Sequence, residues 1–194
     1  MLSVLHVLGS MLMMFSVTYL LPIVTALIYR DGHLLDFIVA AGVCFFAGAT
    51  LWGVTSSYKR ELRSRDGFVL VTAGWILMSA IATVPLLIAL PGLTFTDAFF
   101  ETMSGLSTTG ATVLVGLDHL PPSINLWRHA LNWYGGMGII VLAVAILPML
   151  GVGGMQLYKA ETPGAVKDEK LTPRITQTAR ALWFVYFLIT VACI

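Results

Sequence analysis

The stretch FFETMSGLSTTGATV, residues 99–113, decides how the rest of the chain is interpreted. It contains one acidic residue, Glu101, together with two glycines and a run of serine and threonine hydroxyls. Long segments without a charged residue come before and after it. A polar stretch in such surroundings needs a structural reason, because buried polar groups must find hydrogen-bond partners.

The composition is that of a membrane protein. Of the 194 residues, 58% are hydrophobic and 11% are charged, whereas a soluble domain has about 25% charged residues. Five runs contain no Asp, Glu, Lys or Arg: residues 1–29, 37–58, 67–96, 129–158 and 181–194. The first four are long enough for a membrane-spanning helix of about 20 residues. The fifth stops at the last residue, so we expect the chain to be the amino-terminal part of a longer membrane protein.

Basic residues predict the orientation. They collect in segments 56–66 and 159–180 and are absent from 67–127. Because Lys and Arg favour cytoplasmic loops, both segments are predicted to be cytoplasmic, with the amino terminus inside. Run 1–29 has no basic n-region and is expected to stay as a helix and not to be cleaved as a signal peptide.

This orientation leaves residues 91–125 outside the membrane or dipping into it. Residues 102–117 are too few to span comfortably, and a full crossing would put one of the two basic segments outside. The sequence therefore predicts a re-entrant segment: a short helix capped by Thr96 or Asp97, followed by an extended return. Non-helical backbone at membrane depth must be buried in protein or line a water-filled cavity.

The chemistry of the return suits a monovalent cation. The carboxyl-terminal end of the short helix carries partial negative charge, and backbone carbonyls of Thr108, Thr109, Gly110 and Ala111 can replace a water shell. The hydroxyls of Thr108 and Thr109 add oxygen atoms as ligands for such an ion. An ordinary loop or a helix-packing surface is the alternative interpretation of these residues.

Two long stretches carry a family resemblance: DAFFETMSGLSTTGATVLVGLDHLP and NWYGGMGIIVLAVAILPMLGVGGMQLYKAETPG. They resemble the TrkH family of bacterial potassium uptake proteins, over most of the chain from Tyr29 to Cys193. The resemblance implies four helix–pore loop–helix repeats around one pore, each with a glycine-centred filter strand. Gly110 would be the filter glycine of the first repeat, and Thr108 and Thr109 would be its ion-contacting positions.

The fold expected is an all-α integral membrane protein with two leading transmembrane helices, one helix–re-entrant pore loop–helix repeat and the start of a second repeat. The corresponding divisions are 1–58, 67–158 and 159–194. The resemblance also implies a multi-pass location in the bacterial inner membrane, a homodimer of the full-length protein and a cytosolic nucleotide-binding partner of the TrkA type. Segment 159–180 would suit that partner, and it would equally suit an ordinary solvated loop.

Several further residues have two interpretations each. Glu101 could face an outer vestibule or support the filter from behind. Arg128 could repel cations from a wrong path, pair with Asp118 or extend to the interface. The glycines of YGGMG could serve packing or act as a hinge; they are Gly135, Gly136 and Gly138. Trp127 fits an interfacial aromatic belt.

No enzyme motif is present, so the protein is not expected to be an enzyme, and no cofactor is expected on this chain beyond the transported K⁺. Membrane lipid is the expected surrounding, and a net charge of +1 gives no general attraction to nucleic acid. Three functions remain open: potassium permeation, passive or by symport; a secondary transporter with a site in a discontinuous helix; and a membrane subunit that only assembles with partners.

Overall fold

The structure is a computed structural model, and it describes residues 2–56, 64–141 and 171–193. These residues form helices and connections and contain no β-strand, which confirms the predicted all-α class. The helices are α1 (Leu2–Ser16), α2 (Leu20–Tyr29), α3 (Leu34–Thr55), α4 (Ser64–Ala82), α5 (Val84–Ala89), α6 (Phe95–Leu106), α7 (Pro122–Val141) and α8 (Leu171–Ala192), with 3-10 turns at Val17–Tyr19 and Leu117–His119.

The described residues fall into two compact units, 1–135 and 136–194. The first contains α1 to α6 and most of α7, and it holds every residue predicted for the ion site. The second contains the end of α7 and α8, whose side chains are largely exposed. The predicted run 129–158 extends beyond residue 141, so its second half lies outside the described residues.

Three helical stretches are long and apolar enough to cross a membrane: Leu2–Tyr29, Leu34–Thr55 and Asp66–Ala89. They coincide with the first three runs predicted from the sequence. Large apolar side chains stay exposed on them, such as Met14 at 74% and Val54 at 80%. An apolar surface of this extent is unfavourable in water, and it is the surface expected of helices long and apolar enough to cross a membrane.

Two of these stretches are interrupted at a proline. Because proline has no N–H, it leaves the carbonyl four residues earlier without its helical donor. Pro22 follows the 3-10 turn between α1 and α2. Pro85 follows the interruption at Thr83 and frees the carbonyl of Ile81, to which the Tyr19 hydroxyl donates at 3.2 Å.

The two leading spans form an antiparallel pair. The Cys44 thiol donates to the carbonyl of Leu12 at 3.2 Å. One turn along the contact, Gly9 and Gly48 bring the backbones together, since a Cβ at Gly9 would lie 2.8 Å from the Gly48 carbonyl oxygen. Small residues at such a crossing permit close backbone packing between membrane helices.

An aromatic cluster joins this pair to the rest of the first unit. Tyr19 stacks on Trp127 with ring centroids 4.4 Å apart, and Phe37 meets the same indole edge-on at 6.2 Å. Trp127 is fully buried, and its Nε1–H donates to the carbonyl of Ala82 at 3.2 Å. The interpretation of Trp127 as part of an interfacial belt was therefore wrong: it is a core residue that sets the position of α7 against α4.

A second link holds the amino-terminal end of α7. The carboxylate of Asp31, in the connection between α2 and α3, accepts a hydrogen bond from the Ser123 backbone N–H at 2.9 Å. Burial alone raises the pKa of Asp31, but hydrogen bonds from Ser123 and from the His33 backbone outweigh it, so the pKa is lowered. The leading pair thus fixes both the beginning of α7 and, through Trp127, its first turns.

Candidate functional site

Helix α6 begins at Phe95, with Thr94 as its amino-terminal cap. The Thr94 side chain accepts a hydrogen bond from the Asp97 backbone N–H at 3.2 Å and donates to the Asp97 carboxylate at 2.7 Å. The prediction of a cap at Thr96 or Asp97 was therefore wrong by two or three residues. Asp97 does lie in the first turn, where a negative charge is favourable.

The carboxyl-terminal end of α6 forms a Schellman motif. The Thr109 N–H donates to the Ser104 carbonyl at 2.9 Å, and the Thr108 N–H donates to the Gly105 carbonyl at 2.8 Å. The residue at the left-handed position of this motif is usually glycine. Here it is Thr108, with a φ of 59°. A β-branched residue in that conformation is a genuine outlier, and such outliers concentrate at functional sites.

The chain reverses after this motif and returns along α6. The Ser104 hydroxyl donates to the carbonyl of Ala111 at 2.7 Å, and one helical turn earlier Glu101 accepts from the N–H of Val113 at 2.6 Å. The later residue of the returning segment therefore pairs with the earlier residue of the helix, so the segment runs antiparallel to α6. The predicted geometry, a short helix followed by a return alongside it, is confirmed. Its depth in the membrane stays a prediction.

The residues predicted as ion ligands lie at the turn of this hairpin-like unit. Thr108, Thr109 and Gly110 are exposed, and Gly110 has a φ of 72°, which only glycine adopts without strain. Among the described residues, no protein donor hydrogen-bonds to their three carbonyl oxygens. The carbonyl of Ala111 instead faces α6, because Ser104 holds it. A carbonyl oxygen has two lone pairs, so the role of Ala111 as a fourth ion ligand stays a prediction.

Glu101 and Arg128 form an ion pair behind the returning segment. The Nε and Nη2 atoms of Arg128 each lie 3.1 Å from Oε2 of Glu101. The Arg128 side chain is 13% exposed, and the Glu101 side chain is 3% exposed. Glu101 therefore does not face an open vestibule, and the acidic partner of Arg128 is Glu101. The alternatives of a pairing with Asp118 and of an extension to the interface were wrong.

The glycines of α7 differ in their surroundings. A Cβ at Gly135 would lie 2.7 Å from the carbonyl carbon of Leu106, the last residue of α6. Gly135 thus allows α7 to touch the end of the short helix directly. In the second unit, a Cβ at Gly136 would meet the Tyr186 hydroxyl at 2.6 Å, and Gly138 lies in the last turns of α7. These contacts fit the packing interpretation.

Two polar residues of the site were not recognised from the sequence, Ser104 and Thr112. Ser104 follows Glu101 by three positions, so both lie on one face of α6. That spacing was the available signal for Ser104. Thr112 offered none, because its role depends on the chain reversal that places it against Glu101 and Arg128.

Comparison with known proteins identifies the family. A family model described as TrkH, cation transport protein, matches residues 34–194. The chain belongs to this family. The TrkH family consists of transport proteins and not of enzymes, and together with the three apolar spans this establishes a membrane protein.

Individual TrkH relatives match almost the whole chain. It is 54% identical over 192 residues to the Trk system potassium uptake protein TrkH of Vibrio parahaemolyticus, covering 98% of this chain and 40% of that protein. The identity is 51% over 192 residues to TrkH of Escherichia coli K12, with the same coverage. It is 45% over 190 residues to TrkG of the same strain, covering 97% of this chain and 39% of TrkG.

A solved structure has the same fold. The crystal structure of the potassium transporter TrkH from Vibrio parahaemolyticus superimposes with a TM-score of 0.82 at 46% identity, covering 98% of this chain and 38% of that one. The chain therefore spans about 40% of the length of the TrkH relatives that it matches.

Proposed function

We propose that this chain forms one wall of a potassium pathway across the bacterial inner membrane. In this proposal the carbonyl oxygens of Thr108, Thr109 and Gly110 replace part of the water shell of a dehydrated K⁺. The observation that carries it is the set of three adjacent carbonyls to which no donor among residues 2–56, 64–141 and 171–193 is bonded, on a segment that is fixed to α6 just beyond them. Neighbouring carbonyls held at a fixed spacing are the ligand type suited to a monovalent cation.

The electrostatics of α6 support the same site. The carboxyl-terminal end of a helix carries about half a negative elementary charge. That end of α6 lies directly before Thr108, so its dipole stabilises a cation beside the predicted ligands. The relatives are named potassium uptake proteins, and we take the ion from them.

The reversal after Leu106 favours a re-entrant segment over the alternative of a discontinuous helix. In a discontinuous helix the second half continues onward in the direction of the first. Here residues 111–114 return beside Glu101 and Ser104. Contacts between α7 and the end of α6 also leave α7 running in the direction of α6, as a helix–pore loop–helix unit requires.

The remaining parts of the proposal concern assembly. The full protein would contribute three further pore loops, form a homodimer and work with a cytosolic nucleotide-binding subunit of the TrkA type. Segment 159–180 is the proposed contact surface for that subunit, and it lies mainly outside the described residues. The amino terminus would lie in the cytoplasm, and lipid would cover the exposed faces of the spans.

Cysteine labelling tests the topology. Thr96 and His119 are exposed residues before and after the ion site, and both are proposed to face outside. Single cysteines at these positions, in a version with Cys44 and Cys193 replaced, should react with an impermeant thiol reagent added to intact cells. Labelling of either cysteine only from the cytoplasmic side would refute the re-entrant arrangement.

Ion discrimination tests the site itself. In the complete gene product, Gly110→Ser forces a side chain into a positive-φ position at a cost of about 1–2 kcal/mol and redirects adjacent carbonyls. We expect the ratio of sodium to potassium uptake to rise by on the order of 10-fold. Gly42→Ala is the matched control, since a Cβ there meets no atom within 4 Å. An unchanged ratio in Gly110→Ser would place the site elsewhere.

A further inference from the structure

A network of hydrogen bonds and one ion pair lies behind the returning segment. Its centre is the carboxylate of Glu101, which is 5% exposed. One oxygen accepts from the Thr112 hydroxyl and from the backbone N–H groups of Val113 and Leu114, the latter two at 2.6 and 3.3 Å. The other oxygen accepts from Arg128.

Arg128 closes the network from a different helix. Besides its ion pair, its Nη2 donates to the Thr112 hydroxyl at 3.0 Å. Thr112 therefore accepts from α7 and donates to α6 at the same time. Because each polar group has its partner, the network is a rigid connection among α6, α7 and the returning segment.

The position of the network relative to the proposed ion ligands gives it a role. With Ser104, which holds the Ala111 carbonyl, it fixes four consecutive residues, 111–114, directly beyond Gly110. The carbonyls of residues 108–110 therefore lie between two fixed points, the Schellman motif at the end of α6 and this network. Their direction depends on both ends, since a segment of three residues between fixed points has little freedom to rotate its peptide groups.

We infer that Glu101 and Arg128 are positioning residues that set ion preference by fixing the outer half of the returning segment. The inference rests on the proposed function. The two charges balance each other, so the pair does not act by attracting cations. It acts through the backbone, by holding the carbonyls of residues 108–110 at a spacing that discriminates potassium from sodium.

The helix that carries Arg128 is itself fixed. The preceding residue, Trp127, is buried and bonded to the Ala82 carbonyl, and the first turn of α7 is tied to Asp31. The guanidinium group is thus presented to Glu101 by a helix whose register the leading pair of spans determines. The two leading spans therefore also help to position Arg128, because they hold the helix that carries it.

The test uses the complete gene product in cells that lack their own potassium importers, with membrane levels matched. Arg128→Met alone would leave a buried carboxylate without its partner, which is strongly destabilising. The double variant Glu101→Gln with Arg128→Met avoids this cost. We expect its ratio of sodium to potassium uptake to rise by on the order of 10-fold. A factor of this size corresponds to the loss of one hydrogen bond to a charged group.

Thr112→Val is the second variant, because it has nearly the same shape and removes only the hydroxyl. We expect a rise of about 3-fold in the same ratio, less than the double variant since the Glu101 contacts to Val113 and Leu114 stay. Asp118→Asn is the matched control: it also removes one acid outside the spans, and Asp118 is exposed. Its ratio should equal that of the unchanged protein.

Each outcome has one meaning. Equal losses of sodium and potassium uptake, with an unchanged ratio, would show a merely structural role and overturn the inference. If the double variant does not reach the membrane, an unchanged ratio in Thr112→Val overturns it. Gly110→Ser run in parallel separates the two claims: a changed ratio there with unchanged network variants retains the proposed function and rejects the positioning role.

Discussion

Replacement of Thr108 by glycine should make the fold more stable and the ion site less selective. Thr108 occupies the left-handed position of the Schellman motif, with a φ of 59°. An L-residue in that region costs about 1–2 kcal/mol relative to glycine. Glycine loses about 0.5–1 kcal/mol more backbone entropy on folding. The difference is a net stabilisation of about 1 kcal/mol for Thr108→Gly.

Within the described residues, the Thr108 side chain makes no hydrogen bond whose loss would offset this gain. The Thr108 side chain is exposed, and its backbone N–H bond to Gly105 does not depend on the side chain. Thr109→Gly is the matched control, because the φ of Thr109 is not positive and its hydroxyl contacts that of Ser107 at 2.8 Å. There glycine should destabilise by about 0.5–1 kcal/mol.

Thermal unfolding of the purified full protein in detergent measures the first effect, and competition between sodium and potassium uptake measures the second. We expect the melting temperature to rise by on the order of 2 °C in Thr108→Gly and to fall in Thr109→Gly. We expect potassium preference to fall in both. A melting temperature lowered equally by the two substitutions would refute the argument from backbone strain. A stabilised Thr108→Gly with unchanged selectivity would refute the role of Thr108 at the site.

Three other perturbations test the supports of the site. Gly135→Ala should lower the free energy of unfolding by about 1–3 kcal/mol, since its methyl group overlaps the carbonyl at the end of α6; an unchanged melting temperature would contradict that contact. Trp127→Phe should cost about 1–3 kcal/mol, because it leaves the buried carbonyl of Ala82 without its donor; fluorescence-monitored unfolding measures it. Asp31→Asn should lower the melting temperature at neutral pH, and the difference should disappear below pH 3.8 as the lowered pKa is passed. A constant difference down to low pH would contradict the contribution of the hydrogen bond from Ser123.

The sequence predicted the elements of the site better than their connections. Charge-free runs and the basic segments required a short helix and a return between 91 and 125, and the structure has both. The cap was misplaced because Thr94, Thr96 and Asp97 are all good capping residues within four positions. Thr94 is the cap in the structure, where it and Asp97, three positions later, bond to each other in the manner of a capping box. The interruptions near Pro22 and Pro85 followed from proline chemistry but were hidden within uniformly apolar runs.

The partner of Arg128 could not be predicted by position along the chain. Asp118 is ten residues away, whereas Glu101 is 27 residues away on another helix. The reversal after Leu106 brings Glu101 to α7 and turns Asp118 outward. Similarly, Trp127 resembled an interfacial residue because it lies near the end of a span. Its burial depends on three aromatic neighbours from the leading pair, which composition does not reveal.

The polar residues of the stretch 99–113 have two different roles, according to whether they lie on α6 or after it. Glu101 and Ser104 lie on α6, are buried and bind the backbone of the returning segment. Thr108 and Thr109 lie after α6 and are exposed, and no donor in the part of the chain that the structure describes bonds to their carbonyls. If all of these residues served helix packing, the left-handed position would favour glycine and the three carbonyls would find donors. A strained threonine between two fixed points is instead the arrangement expected where the direction of backbone oxygens matters more than local stability.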